Sequence, residues 1–169
     1  ASGQHPPIVY TGNLDAYQNI EFLEHVMARV RAEAPDARLV LATRDHTVMH
    51  GAELHYTPDF ATLRAVLAQD AVVVCPRVSW SGYPIKLLNA MAAGKAVVAC
   101  RSAAHPLEHE VTGIVVDDND EEAFASAVVR LMQSPALRDA LGKQARQVVD
   151  TNHTPKKFAE ALESVFERA

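Results

Sequence analysis

The stretch that decides the fold covers residues 71–100 and reads AVVVC-PRVSWSGYP-IKLLNAMAAGK-AVVAC. Two continuous apolar runs, Ala71–Cys75 and Ala96–Cys100, enclose a turn that contains Gly82 and a helical segment that begins at Pro84. Continuous apolar runs of this length are typical of central parallel strands that are covered on both faces. The stretch therefore predicts two neighbouring parallel strands joined through a turn and a crossover helix.

The rest of the chain repeats this alternation of strand and helix. Further strands are predicted at Ile8–Thr11, Arg38–Thr43, Glu53–Tyr56 and Gly113–Val116. Helices are predicted at about Ala16–Ala34, after Thr57 as N-cap, and as three consecutive segments that include Phe124, Pro135 and Pro155. Such alternation predicts one doubly wound, Rossmann-like α/β sheet with right-handed crossovers that occupies residues 1–169 as a single domain.

Composition limits the function classes. The net charge of −5 argues against a nucleic-acid partner, and no apolar run approaches the ~20 residues of a membrane helix. Cys75 and Cys100 are expected to be reduced thiols, as in a cytoplasmic protein, and a disulfide between them is the alternative that the sequence leaves open. Two histidine sets have spacings that a metal ion could use, but neither completes four ligands, so no metal is expected. These sets are His46, His50 and His55, and His105 with His109.

In a doubly wound sheet the ligand lies at the carboxyl ends of the strands, near the point where the strand order reverses. That rule selects three loops, at residues 12–17, 44–51 and 76–83. The third loop leads into a helix, whose first N–H groups and positive dipole end favour an anion such as phosphate. Lys86 and Lys95 flank this helix and are expected to be solvated, and the acidic run Asp117–Glu122 is expected to cap the helix that follows it.

The first and third loops together resemble those of retaining glycosyltransferases of family 4, the group related to glycogen synthase. The donor motif of that family reads roughly Glu-Gly-Phe-Gly-x-x-x-x-Glu-Ala-Met-Ala-x-Gly-x-Pro-Val-Val, and Ser81 and Asn89 occupy its two Glu positions. The first loop of the family reads Gly-Arg-Leu-x-x-x-Lys-Gly, and Asn13 and Gln18 occupy its Arg and Lys positions. The resemblance extends over residues 8–166, and four positions that are charged in the family are neutral here.

The resemblance implies a site for a nucleotide-sugar donor. Its expected residues are Gly12, Asn13, Gln18, Arg77, Ser81, Gly82, Tyr83, Pro84 and Asn89. Asn89 would contact the ribose with its amide. Arg77 or Arg44 would supply the positive charge at the diphosphate that the family's Arg and Lys provide. Simpler interpretations stay open: Ser81 as a helix cap, Asn89 as a solvated helix residue, Arg77 as a surface ion-pair partner, and the others as ordinary turn residues.

The resemblance also implies an architecture and an activity. The chain is expected to be the C-terminal, donor-side domain of a two-domain GT-B enzyme that transfers a sugar to an unknown acceptor. The acceptor would be held by an N-terminal domain that these residues do not include, and membrane contact would come only through that domain or a lipid-linked acceptor. No cofactor is expected besides the donor substrate. The alternative is a binding or interaction module of the same fold that has lost catalysis.

Overall fold

The computed structural model describes residues 4–14, 18–46, 49–79 and 84–152. These ranges contain six strands and five α-helices. The strands are β1 (Ile8–Thr11), β2 (Leu39–Thr43), β3 (Ala52–Tyr56), β4 (Val72–Cys75), β5 (Ala96–Cys100) and β6 (Ile114–Val116). The helices are α1 (Ile20–Glu33), α2 (Phe60–Leu67), α3 (Ile85–Ala92), α4 (Glu121–Gln133) and α5 (Pro135–Asn152). The helix predicted to begin near Pro155 lies outside the described residues.

The strands form one all-parallel sheet in the order β3-β2-β1-β4-β5-β6. The order reverses between β1 and β4, where Ile8 is in register with Leu39 on one side and with Val72 on the other. The predicted doubly wound, Rossmann-like sheet is confirmed. The strand bounds also agree with the sequence, since each predicted strand begins within one residue of the observed one.

Helices cover both faces of the sheet. On one face α1 and α4 pack against alternate strand residues, and the rings of Phe22 and Phe124 meet edge-to-face with centroids 5.4 Å apart. On the other face α2, α3 and α5 pack against the remaining strand residues. The central strands β4 and β5 are therefore apolar at every position, which is the physical reason that Ala71–Cys75 and Ala96–Cys100 form continuous apolar runs. The edge strand β3 is mostly exposed and carries Glu53 and His55.

Several expectations about helix ends need correction. The N-cap of α2 is Asp59, whose carboxylate accepts from the backbone N–H of Thr62 at 2.8 Å, whereas the predicted cap Thr57 is buried. Pro84 occupies the N-cap position of α3 rather than its first turn. The prediction that the acidic run caps a helix is confirmed, because Asp120 accepts from the N–H of Ala123 at 3.0 Å at the start of α4.

Candidate functional site

The candidate site lies where the strand order of the sheet reverses. The carboxyl ends of β1 and β4 are adjacent there, so the loop after Thr11 faces the segment Pro76–Ser79. A parallel sheet leaves a crevice at this point because the connections from the two strands run to opposite sides. Two cavities open at this edge, and α3 lines both. Pro76 and Arg77 line the first, whereas the loops that follow β1 and β2 line the second.

The loop after β1 is held by backbone and side-chain contacts. Gly12 has φ +116°, a value that side chains disfavour, and its N–H donates to the carbonyl of Ala42 at 3.1 Å. The backbone N–H of Leu14 donates to the Asp45 carboxylate at 2.9 Å, and the Tyr10 hydroxyl donates to the carbonyl of Asn13 at 2.5 Å. The loop is thus fixed against the ends of β1 and β2.

The first cavity has a volume of about 150 Å³ and lies on the β4 side of the crevice. Gln18, Arg77, Pro84 and Lys86 contribute polar or loop surface to its wall. Gln18 is buried, and the Nε of Arg77 has less than 1 Å² of exposed surface. Arg77 as a whole is half-buried and lines this cavity, so its role as a donor of positive charge to a ligand stays a prediction.

The second cavity is larger, at about 300 Å³, and lies on the β2 side of the crevice. Asn89 and Ile85 lie on the same face of α3 and both line it, as their spacing predicts. Gly12, Asn13 and Arg44 line it from the opposite side. The cavity thus combines a mostly apolar wall with the amide of Asn89, the guanidinium of Arg44, the carboxylate of Asp45 and the backbone of Gly12.

Lys86 is the residue that the sequence interpretation placed wrongly. It was expected to be solvated, but its Nζ has less than 1 Å² of exposed surface and its side chain lines both cavities. The ammonium lies 5.9 Å from the ring centroid of Tyr10, and the end of the side chain covers Gly12. Only the missing side chain of Gly12 gives the lysine room to reach this position, and no local sequence pattern reports that contact. The expectation for Lys95 is also wrong, because it is half-buried and its ammonium donates to the carbonyl of Gln69 at 2.6 Å.

Asn19 lines neither cavity but connects the loops around the site, a role that the sequence did not predict. It adopts a left-handed conformation with φ 62°, directly before α1. Its side-chain amide donates to the carbonyl of Pro76 at 2.9 Å and to the Asn119 side chain at 3.1 Å. One residue therefore connects the loops that follow β1, β4 and β6. An asparagine at a helix start is a signal for a cap, and the sequence alone does not show that the amide points to another strand end.

The described structure brings most of the predicted site residues together. Gly12, Asn13 and Asn89 line the second cavity, whereas Gln18, Arg77 and Pro84 line the first. Ser81, Gly82 and Tyr83 lie outside the described residues, so their predicted roles stay predictions.

The histidine sets considered at the outset do not converge within the part of the chain that the structure describes. No group of three or more His, Cys, Asp or Glu side chains there is placed to hold a metal ion. Instead, the Nδ1 of His109 accepts from the backbone N–H of Val115 at 3.0 Å. No helix of the described ranges is long and apolar enough to cross a bilayer.

The parallel sheet with helices on both faces defines a Rossmann-like domain, a fold whose ligands generally lie at the carboxyl edge of the strands. Comparison with known families makes the assignment specific. The family described as "Glycosyl transferases group 1" matches residues 5–134, and the chain belongs to this family.

Individual relatives agree with the family. YtcC, a putative glycosyltransferase of Bacillus subtilis strain 168, is 27% identical over 183 residues, which cover 95% of this chain and 44% of YtcC. The chain therefore spans less than half the length of that relative.

Two solved structures show the same fold. The C-terminal domain of LpcC, a glycosyl transferase group 1 family protein of Francisella tularensis, has a TM-score of 0.72 and 17% identity, covering 90% of this chain and 93% of the domain. HepE of Anabaena, in complex with UDP-glucose, has a TM-score of 0.74 and 12% identity, covering 97% of this chain and 49% of HepE. The fold is therefore that of the C-terminal domain of GT-B glycosyltransferases.

Proposed function

We propose that this chain is the donor-side domain of a retaining GT-B glycosyltransferase resembling family 4, and that it binds a nucleotide sugar in the two cavities of the crevice. A separate domain would hold the acceptor. One observation carries the proposal: the two cavities are adjacent and share Thr11, Ile85 and Lys86 in their walls. Asn89 lines one of them and Arg77 lines the other. A nucleotide sugar has two bulky ends joined by a diphosphate, which matches two cavities with a shared wall.

The cavity volumes and linings suggest the orientation of the donor. The larger cavity suits the nucleoside, because its wall is mostly apolar and Asn89 can both donate to and accept from ribose hydroxyls. The smaller cavity, with Gln18 and Arg77, then receives the sugar and its neighbouring phosphate. The complex of HepE with UDP-glucose supports a donor of this class, since that protein has the same fold.

Calorimetric titration of this chain with UDP, GDP and ADP tests the donor site. We expect a Kd for the preferred nucleotide of about 0.1 to 1 mM, because two cations of the family pattern are neutral here. Asn89→Ala should weaken that nucleotide by ~1–2 kcal/mol through loss of the ribose contact, and Asn152→Ala, at the exposed end of α5, is the matched control. The absence of binding by all three nucleotides would reject the proposal.

Transfer itself should require the acceptor domain. Catalysis of a bimolecular transfer depends on holding both reactants in alignment, and the proposal assigns the acceptor to residues beyond this chain. We therefore expect no transfer of sugar to an acceptor by residues 1–169 alone. Turnover by this chain without a second domain would overturn the two-domain architecture.

A second candidate function is a binding module of the same fold without catalysis. It is favoured by the neutral residues Asn13, Gln18, Ser81 and Asn89 at the four charged positions of the family pattern. The double variant Ser81→Glu with Asn89→Glu, made in the protein that includes the acceptor domain, separates the two candidates. Gained donor affinity or turnover indicates a degenerate donor site, whereas weaker donor binding indicates a site that is adapted to neutral contacts. If neither donor binding nor turnover changes, the crevice is not the donor site.

A further inference from the structure

Lys86 is placed where the two cavities of the crevice meet. It is the second residue of α3. Its side chain lines both cavities, as do those of Thr11 and Ile85. Its ammonium covers Gly12 from the α3 side, and the Nζ atom has almost no exposed surface. Of the three side chains that line both cavities, it is the one that carries a charge.

The position matters because the charge is held in a shielded place. An ammonium in a crevice of low effective dielectric interacts more strongly with an anion than one at an open surface, and it is screened less by salt. The lysine is also close to a glycine backbone, which lets a bulky anion approach the loop. A lysine in such surroundings is a common binder of phosphate groups, because it acts as a compact positive charge.

We infer that Lys86 binds the diphosphate of the donor at the junction of the two cavities and supplies the positive charge that Asn13 and Gln18 do not provide. The inference rests on the proposed function and deepens it, because it names the residue that recognises the diphosphate. In this arrangement the positive charge comes from α3, whereas the loop after β1 contributes its backbone and, at Gly12, the space for the diphosphate to approach. Arg77 lines the smaller cavity, and Arg44 and the carboxylate of Asp45 line the larger one.

A purely structural role for Lys86 is the competing explanation. The long aliphatic stem packs in the crevice, and the ammonium lies near the Tyr10 ring, so the residue also contributes to packing. The two roles differ in what they predict for ligands. A packing role affects all ligands of the crevice equally, whereas a diphosphate role affects a nucleoside diphosphate and leaves the matching nucleoside unchanged.

The test therefore compares Lys86→Met, Lys86→Gln and Lys86→Arg with the wild-type chain. Methionine keeps most of the stem without the charge, glutamine is a second neutral variant should methionine disturb the fold, and arginine keeps the charge. Each variant is titrated with UDP, GDP and ADP and with the corresponding nucleosides, and its thermal unfolding is measured without ligand. Lys95→Met is the matched control, because Lys95 is also half-buried but lies at the opposite edge of the sheet, beside Gln69.

We expect the neutral variants to bind the preferred nucleoside diphosphate about 10- to 100-fold more weakly, the range for a lost hydrogen bond to a charged group. Nucleoside affinity should change by less than about twofold, since no charge on the nucleoside meets the ammonium. Lys86→Arg should retain most of the preference for diphosphate, and Lys95→Met should retain all of it. In the wild-type chain the preference for nucleoside diphosphate over nucleoside should also decrease as the salt concentration is raised. This decrease should be smaller in the neutral variants.

Two different failures can be told apart. If the wild-type chain binds neither nucleoside diphosphates nor nucleosides, the proposed function itself is wrong. If it binds nucleoside diphosphates and both neutral variants keep the same ratio of diphosphate to nucleoside affinity, the proposed function survives and the assignment of Lys86 is wrong.

Discussion

The side-chain amide of Asn19 donates to the backbone carbonyl of Pro76 at 2.9 Å and so joins the segment after β1 to the segment after β4 across the switch point of the sheet. The same amide donates to the Asn119 side chain at 3.1 Å, which adds the loop after β6. Three loops that carry or flank the candidate site are therefore positioned by one residue. Asn19 is suited to this place because asparagine tolerates a left-handed backbone better than most residues do.

Two variants separate the contributions of Asn19. Asn19→Gly keeps the left-handed backbone and removes both hydrogen bonds, so we expect a loss of ~1 to 2 kcal/mol in the free energy of unfolding. Asn19→Ala also removes both bonds and adds the backbone strain of a positive φ, so it should cost a further ~1 kcal/mol. Urea unfolding measures both losses. Equal stability of the wild type and the glycine variant would show that the connections do not stabilise the fold.

The close approach of Lys86 to Gly12 gives a second prediction. A Cβ on Gly12 would collide with Cε and Nζ of Lys86 and would also be strained at φ +116°. Gly12→Ala should therefore destabilise the fold by ~1–3 kcal/mol, the usual cost of overpacking together with backbone strain. It should also weaken nucleotide binding, because the new methyl group would displace the lysine from the junction of the cavities.

A double-mutant cycle with Lys86→Ala isolates the steric part of that cost. The methyl group of Gly12→Ala no longer meets the lysine side chain in the double variant, so its destabilisation there should be smaller than in the wild-type background by ~0.5–2 kcal/mol. The residual cost is the backbone strain. Strict additivity in urea unfolding would contradict the observed contact.

These contacts show which parts of the molecule the sequence can predict. The central strands are predictable because both faces of the sheet are covered there, so that Val72, Val73 and Val74 are all buried and the apolar run is continuous. The shared face of Ile85 and Asn89 was also predictable, because it depends only on helical periodicity. Features that depend on the spacing of apolar residues along a strand or helix can therefore be predicted from a single sequence.

The errors have a different origin. Lys86 was misjudged because its burial depends on how α3 is seated against the β1 loop and on the space left by Gly12. The N-cap of α2 was predicted wrongly because Thr57 and Asp59 are both good cap residues, and local sequence does not show that Thr57 is buried in the fold. In each case the deciding contact joins residues whose relation appears only in the tertiary structure.

The packing of α5 onto the sheet gives a third prediction. A Cβ on Gly142 would collide with the carbonyl oxygen of Gly94, so the helix approaches the turn between α3 and β5 more closely than any side chain would permit. Gly142→Ala should destabilise the fold by ~1–3 kcal/mol, although alanine has the higher helix propensity. Gln144→Ala, at an exposed position of the same helix, is the control and should be nearly neutral. A more stable Gly142→Ala variant in urea unfolding would show that the helix can move outward freely.

The two cysteines give the last prediction. Cys75 packs against the core on the α2, α3 and α5 face, whereas Cys100 belongs to the core on the opposite face, where its thiol donates to the carbonyl of Pro76 at 3.5 Å. Both cysteines are free, and the sheet between them keeps their thiols apart. Burial raises the pKa of the Cys75 thiol and the pKa of the Cys100 thiol to about 11, so both are protonated at neutral pH.

A raised thiol pKa makes the fold sensitive to alkali. The unfolded chain begins to lose its thiol protons near the ordinary pKa of about 8.5, while the folded chain holds them up to about 11. Stability should therefore be complete below pH 8.5 and fall progressively as the pH rises from about 8.5 to about 11. The variant Cys75→Ala with Cys100→Ala should lose less stability over this interval than the wild type does, as followed by urea unfolding at each pH. At pH 8 iodoacetamide should label the buried Cys100 far more slowly in the folded chain than in urea, whereas the half-buried Cys75, which lines the first cavity, should be labelled at an intermediate rate. Rapid labelling of Cys100 in the folded chain would contradict its buried, protonated state.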